Sequence, residues 1–242
     1  MSKNIVKIYK QMYFLVDNIK KVIFGWSAKC GCSHIKKLYQ FLANKHEPFV
    51  HMQHYYGSPF PESFEGYTVI IILRNPYERI VSGYLDKYSE GGHYYHWWKN
   101  EKPLTYRNFV DEIITNKFKQ IHRHHFTPQM SEDWGKFQKK LLNGAQPQKI
   151  VVYDLLKINY GFIENLYGIK IPKDVLDFRG EHINKRKEPV DIPVYDLTQP
   201  EFDNKKPKTK CFYNEEIAMK FFNFYREDFA FAKTHGIIYD WK

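Results

Sequence analysis

Tyr67–Leu73, YTVIIIL, is the stretch that most restricts the fold of this chain. A strand with water on one face alternates apolar and polar side chains. This one is β-branched and apolar almost throughout, as expected of a central parallel strand covered on both faces. Such a sheet needs helices to cover it. The strand runs directly into Arg74-Asn75-Pro76, where Pro76 suits the first turn of a helix and Asn75 its N-cap. Two further apolar runs, Val22-Ile23-Phe24 and Lys149–Tyr153 (KIVVY), read as buried strands of the same sheet. The expected class is α/β, a parallel sheet flanked by helices.

Helical spacing fills much of the rest. Ile5, Ile8, Met12, Leu15 and Val16 form a stripe over residues 4–18 that reads as a covering helix. Ile35, Leu38, Phe41 and Leu42 predict a helix reaching about Ala43. Ile80, Val81, Tyr84, Leu85 and Tyr88 are the expected buried side of the helix that starts at Pro76 and ends by Gly91-Gly92. Phe109, Val110, Ile113 and Ile114 predict a helix over Tyr106–Thr115. Helices are also expected over Trp134–Leu142 and over Asp154–Tyr167, the second closed by Gly168. Residues 170–210 are rich in Pro and Lys with weak periodicity and read as a long surface excursion. Asn214-Glu215-Glu216 opens a last helix whose core face is Ile217, Phe221, Phe224, Tyr225 and Phe229, with acids where the helix dipole favours them.

No Gly/Ser- or Pro-rich linker divides the 242 residues, so a single domain over 1–242 is expected. The aromatic share of 18 % and charged share of 26 % exclude a disordered composition. With 37 Lys+Arg against 27 Asp+Glu, the formal charge of +10 draws anions: nucleotides, nucleic acid, acidic glycans or a membrane surface. Its even spread along the chain does not choose among them. Three cysteines, Cys30, Cys32 and Cys211, do not suggest a disulfide framework, and the C-x-C pair has no second pair to complete a zinc site. No signal pattern and no run approaching ~20 apolar residues is present, so the expectation is a cytoplasmic protein without a membrane span.

The chemistry is concentrated in two places. Lys21–Lys37, KVIFGWSAKCGCSHIKK, is a strand, a loop of small residues and a helix start. Backbone N–H groups at a helix start point outward, and the helix dipole adds partial positive charge, so this is a seat for phosphate or sulfate. Lys29 lies in the loop and Ser33 can add a hydroxyl. The loop is not G-x-x-x-x-G-K-[ST], because the lysine precedes Gly31; an ordinary nucleoside triphosphatase or kinase is disfavoured. The second place is Arg74–Tyr88, RNPYERIVSGYLDKY. Arg74 falls at the carboxyl end of a parallel strand, where ligands bind in open α/β sheets. Ser82 follows about two helical turns on. A planar guanidinium and a helix-borne hydroxyl can grip one phosphate between them.

Both stretches resemble sulfotransferases, most closely the carbohydrate (Golgi-type) branch. Lys29-Cys30-Gly31-Cys32-Ser33-His34 resembles the family's 5′-phosphosulfate loop, with Ala28 where the family usually has proline. Arg74 to Tyr88 is similar to its 3′-phosphate segment, with Asn75 for the usual Asp and Leu85 for the usual Arg. Shorter likenesses are His125-Phe126-Thr127-Pro128-Gln129, His182-Ile183-Asn184-Lys185 and the ending Tyr225-Arg226-Glu227-Asp228-Phe229. The resemblance implies a P-loop-nucleoside-triphosphatase-like sulfotransferase fold. It implies 3′-phosphoadenosine 5′-phosphosulfate as donor, with the 3′,5′-bisphosphate as product, and no metal. It also implies a carbohydrate or other hydroxyl-bearing acceptor and no nucleic acid partner. Animal carbohydrate sulfotransferases are usually Golgi membrane proteins. The resemblance therefore implies a soluble microbial or viral member, or a chain without its anchor.

The implied donor site comprises Lys29, Cys30, Gly31, Cys32, Ser33 and His34 at the 5′ end. Arg74 and Ser82 serve the 3′-phosphate, and Asn184 and Lys185 lie near the nucleotide. Lys29 is the expected catalytic cation. The base that takes the acceptor's proton needs a pKa near the working pH, which favours histidine. Of the 11 histidines, His51 and His54 lie between the two phosphate stretches, and His125 is the further candidate. Trp97 and Trp98 can stack sugar rings. Two alternatives stay open: a nucleotide-dependent kinase, and a basic nucleic-acid-binding protein that would leave both phosphate stretches unexplained.

Overall fold

The computed structural model describes residues 12–44, 61, 63–88, 92, 103–115, 125–130, 135, 139, 146–178, 188–202 and 205–242. His51, His54, Trp97, Trp98, Asn184 and Lys185 lie outside them, as does most of the helix expected over Trp134–Leu142.

A four-stranded sheet organises the chain in the order β1 (Met12–Asp17), β2 (Val22–Ser27), β3 (Thr68–Leu73), β4 (Lys149–Asp154). β2, β3 and β4 are parallel, and β1 joins antiparallel to β2. The fold is thus α/β with a mostly parallel sheet. Every residue of β3 is buried, as its composition requires. Its side chains alternate between two cores. Ile70 and Ile72 join Phe24, Trp26, Ile35, Leu38 and Ile163 on one face. Val69, Ile71 and Leu73 join Ile23, Phe64, Met130 and Ala232 on the other.

Helix α1 (Cys32–Leu42) follows β2, and α2 (Pro76–Lys87) and α3 (Tyr106–Ile114) follow β3. Asn75 caps α2 by accepting the Tyr77 N–H at 3.1 Å. After β4 come α4 (Tyr160–Tyr167), the single turn α5 (Lys173–Leu176), α6 (Glu215–Phe224) and α7 (Arg226–Thr234). A two-stranded parallel ladder pairs β5 (Glu188–Val190) with β6 (Lys205–Pro207). A third, aromatic core joins α2, α3 and α6 around Tyr84, Tyr106, Phe109, Phe126 and Tyr225.

Several expectations are corrected. The stripe over 4–18 is not helical where it is described: Met12–Asp17 is a strand paired antiparallel with β2. Its aromatic and β-branched residues tolerate either state, and a tight turn decides it. The Asp17 carboxylate accepts the N–H groups of Ile19 and Lys20, both at 3.0 Å, and folds the chain back onto β2. β4 is a strand, but among the described residues only β3 pairs with it, and Ile150 is 38 % exposed. The helix expected over Asp154–Tyr167 is split. Leu155–Lys157 is a 3-10 turn under Asp154, and Asn159 then caps α4 by accepting the Phe162 N–H at 3.0 Å. Helix α2 ends at Lys87 rather than at the glycines. Residues 170–210 are more than a surface excursion, since Val175, Val194 and Phe202 are buried in the cores. The last helix breaks at Tyr225, whose hydroxyl turns inward to donate to the Phe126 carbonyl.

Parallel register is what builds the site. Trp26 faces Ile72, and Leu73 faces Asp154, so β2, β3 and β4 all end at one edge of the sheet. The loop at 27–31 and the start of α2 are therefore neighbours. Gly83 lets α2 approach the 125–130 segment, because a Cβ there would lie 2.5 Å from Cε1 of the fully buried Phe126. Alanine is otherwise the better helix former by about 1 kcal/mol. Gly83→Ala is nonetheless expected to lower stability by about 1–3 kcal/mol through overpacking, read as a lower urea midpoint.

Candidate functional site

The loop after β2 turns through two left-handed residues, Lys29 (φ 67) and Gly31 (φ 71). Glycine adopts that conformation freely; lysine does so at a cost of about 1–2 kcal/mol, so its neighbours must hold it there. They do. The Cys30 N–H donates to the Ser27 carbonyl at 3.2 Å, and Arg74 Nη1 donates to the Lys29 carbonyl at 3.1 Å. Arg79 Nη1 donates to the Ala28 carbonyl at 3.1 Å. Proline would stiffen this loop through its ring; here two guanidinium groups do so through carbonyls. A side chain at Gly31 would also strike Leu155, 2.6 Å from the position of its Cβ. Helix α1 then starts at Cys32 without a side-chain cap. The first N–H groups of any such helix start find no acceptor one turn back within the helix.

The structure brings Lys29 and Arg74 to one place, in direct contact through the Lys29 carbonyl. Ser82 is half-buried in the middle of α2. It shares a helix face with Glu78 and Asp86, four residues to either side. Arg74 pairs with Glu78 (Nε to Oε2, 3.7 Å), and the Lys29 ammonium pairs with Asp86. Ser82 therefore lies between two cation–carboxylate clasps. Lys87 Nζ is 3.1 Å from the same Asp86 oxygen that Lys29 meets. Burial pulls the Lys29 ammonium below the ordinary lysine range, and Asp86 opposes it. Burial would raise the Asp86 carboxyl, but Lys29 and Lys87 outweigh it and hold it below the usual range.

Two of the expected donor-site side chains point elsewhere. The Cys30 thiol is fully buried, 3.2 Å from Ser27 Oγ, and donates to Gln129 Oε1 at 2.8 Å. Burial pushes its pKa up, so it stays a protonated donor. The His34 ring lies 3.1 Å (Nδ1) from the Phe178 carbonyl and 2.7 Å (Nε2) from the Tyr160 hydroxyl, on the α4 side of α1. What Cys30 and His34 offer at the loop is backbone. Cys32 is half-exposed at the first turn of α1 and Ser33 is buried beside it. His125 stands close by, since its carbonyl accepts from the same Arg79 Nη1 that holds Ala28, at 3.3 Å.

Four residues that sequence reasoning quoted only as parts of motifs form the frame beneath this site. Arg79, 1 % exposed, also donates through Nη2 to the Thr127 carbonyl. The Gln129 amide brackets Arg74, accepting its N–H at 3.0 Å and donating to its carbonyl at 2.9 Å. Asp228 accepts the N–H groups of Gln129 and Met130, both at 2.8 Å. Burial raises the Asp228 carboxyl, while Arg79 and these two N–H groups pull it back. Asp86 is the fourth. The likenesses at 125–129 and 225–229 are thus two sides of one hydrogen-bonded network. That shared contact is their signal, and the sequence does not carry it. Among the described residues no group of three or more His, Cys, Asp or Glu could hold a metal ion. None of the described helices is long and apolar enough to cross a membrane.

A strand–loop–helix turn, an arginine just past the end of the next parallel strand and the helix that carries Ser82 thus meet at one end of an α/β sheet. Residues 12–132 match the model of the sulfotransferase family, and the chain belongs to that family. It is also similar to carbohydrate sulfotransferase 8 of mouse and of human, 30 % identical over an alignment of 95 residues that covers 34 % of this chain. The matched segment spans 23 % of the mouse protein and 22 % of the human one, less than a quarter of either. No solved structure matches the chain.

Gln129→Leu leaves the Arg74 N–H, the Arg74 carbonyl and the Cys30 thiol without their partner. We expect a loss of about 2 kcal/mol or more by urea unfolding. Cys30→Ala, which leaves Gln129 bonded to Arg74, should cost less.

Proposed function

We propose that the chain is a single-domain sulfotransferase that uses 3′-phosphoadenosine 5′-phosphosulfate and sulfates a hydroxyl acceptor, most simply a carbohydrate. The observation that carries this is the contact between the two phosphate stretches, Arg74 Nη1 to the Lys29 carbonyl at 3.1 Å, in a member of the sulfotransferase family. The residues present suit such a donor. They are two cations, a hydroxyl and the outward N–H groups of an uncapped helix start, all of them hydrogen-bond donors.

When bound, the donor supplies a sulfuryl group on a phosphate oxygen that gains negative charge as the group leaves. The Lys29 ammonium, on a side chain only 15 % exposed, is placed to stabilise that charge, where a fixed cation is worth more than in bulk solvent. Backbone N–H groups of Gly31, Cys32, Ser33 and His34 hold the 5′-phosphate. Arg74 and Ser82 hold the 3′-phosphate and so fix the direction in which the sulfuryl group faces the acceptor. Asn184 and Lys185, which lie outside the described residues, are the further donor-binding residues that the family resemblance implies. An imidazole nitrogen then takes the acceptor hydroxyl's proton. His125 is the candidate whose backbone stands beside the loop, with His51 and His54 as the others. Orientation and electrostatic stabilisation supply the rate, and no metal takes part.

Adenosine 3′,5′-bisphosphate at about a hundredfold excess over its Kd should raise the melting temperature by about 5–10 °C. No shift at millimolar ligand would sink the proposal. Lys29→Ala should abolish transfer of radiolabelled sulfate while weakening nucleotide binding less than Arg74→Ala does; the opposite order would mean that the two roles are exchanged. A panel of glycans, phenols, peptides and lipids in the same assay identifies the acceptor.

A further inference from the structure

Lys29 and Asp86 are 57 residues apart in sequence and meet at the mouth of the loop. Their side chains are 15 % and 27 % exposed, and Lys87, at 21 %, approaches the same carboxylate oxygen. Arg74 has its own carboxylate in Glu78 and so does not compete for Asp86. A lysine side chain is a flexible stem, and left alone it would sample many rotamers. Its left-handed backbone fixes where the stem begins but not where the ammonium ends.

We propose that Asp86 is the positioning residue of Lys29: the carboxylate on α2 fixes both the direction and the positive charge of the ammonium at the loop mouth. Asp86 would act through Lys29 and would not itself touch the donor or the acceptor. The proposal rests on the sulfotransferase reading only for what the ammonium does; the pairing stands apart from it.

The charge balance explains why a partner is needed. Around Lys29, the described groups that bear on it are Asp86 and Lys87 from α2, Cys32 from the start of α1 and Arg74 from the end of β3. Burial lowers the Lys29 pKa and Lys87 lowers it further, while Asp86 raises it, by attraction and by a hydrogen bond. Only the protonated form can stabilise a leaving oxygen. Without Asp86, the ammonium would be lost at a lower pH. An opposite charge this close typically moves a pKa by about 1–3 units. Lys87 has a second effect. Two ammonium groups share one carboxylate, so the cluster stays net positive and still attracts an anion.

The test is the titration of Lys29 in the full chain without nucleotide, followed by ¹³Cε resonances of labelled lysine and assigned with Lys29→Arg. Asp86→Asn should move the Lys29 titration down by about one pH unit or more, a tenfold loss of proton affinity. Lys87→Ala, which removes the second ammonium from the same carboxylate, should move it up. A Lys29 titration unchanged in Asp86→Asn overturns the proposal; if that variant does not fold, a titration unchanged in Lys87→Ala overturns it. In sulfate transfer, the high-pH limb of the Asp86→Asn profile should fall earlier by the same amount. The double variant with Lys29→Arg should lose that limb, because a guanidinium does not deprotonate there. If the wild-type chain transfers no sulfate while the titrations shift as stated, the functional reading fails and the pairing stands. If it transfers sulfate but Asp86→Asn titrates as wild type, the reverse holds.

Discussion

A guanidinium with 1 % of its surface exposed must have its hydrogens met, and Arg79 meets this demand with the carbonyls of Ala28, His125 and Thr127. Those oxygens belong to two segments about 100 residues apart, and Arg79 itself belongs to a third, α2. One buried cation thereby binds the loop, the helix and the 125–130 strip into a single body. The cost is visible: among the described residues its Nε–H has no acceptor. An unmet buried donor costs about 1–3 kcal/mol. The Tyr225 ring, its centroid 5.9 Å from the guanidinium carbon, and the charge of Asp228 offset part of it.

Around that centre the polar groups form a chain with few loose ends. Asp228 orders the backbone of Gln129 and Met130, Gln129 orders Arg74 and Cys30, and Arg74 orders Lys29. Each link fixes the next, so a left-handed lysine is held without a proline before it. Buried polar networks of this kind are costly when broken and rigid when complete. Rigidity is what a phosphate seat needs, because donors that must reorganise stabilise a developing charge poorly. The exposed side of the same cluster is arranged differently. There Glu78, Ser82 and Asp86 line one face of α2, and the two carboxylates hold the two cations that face the seat.

Local sequence made much of this legible. The apolar run of β3, the Asn75 cap, the small residues of the loop and the spacing from Arg74 to Ser82 are each determined within about a dozen residues, and each has one low-energy outcome. Where two outcomes were close, the sequence misled. The stripe over 12–17 fits a helix or a strand, and the Asp17 turn with the β2 edge decides for a strand. The split after Asp154 turns on whether Asn159 continues a helix or caps one. The core residues of 170–210 are too widely spaced to show a period, because they pack as single anchors under irregular chain.

From the chain alone come an α/β class, two family-like stretches in order and the cations they carry. Those depend on backbone preference and side-chain chemistry, which act over short distances. Tertiary structure alone decides which carboxylate Lys29 meets, that the thiol of Cys30 and the ring of His34 turn away, and that Gln129 and Asp228 support Arg74. Such pairings join residues roughly 50 to 150 positions apart, and they exist only because parallel register ends three strands at one edge of the sheet.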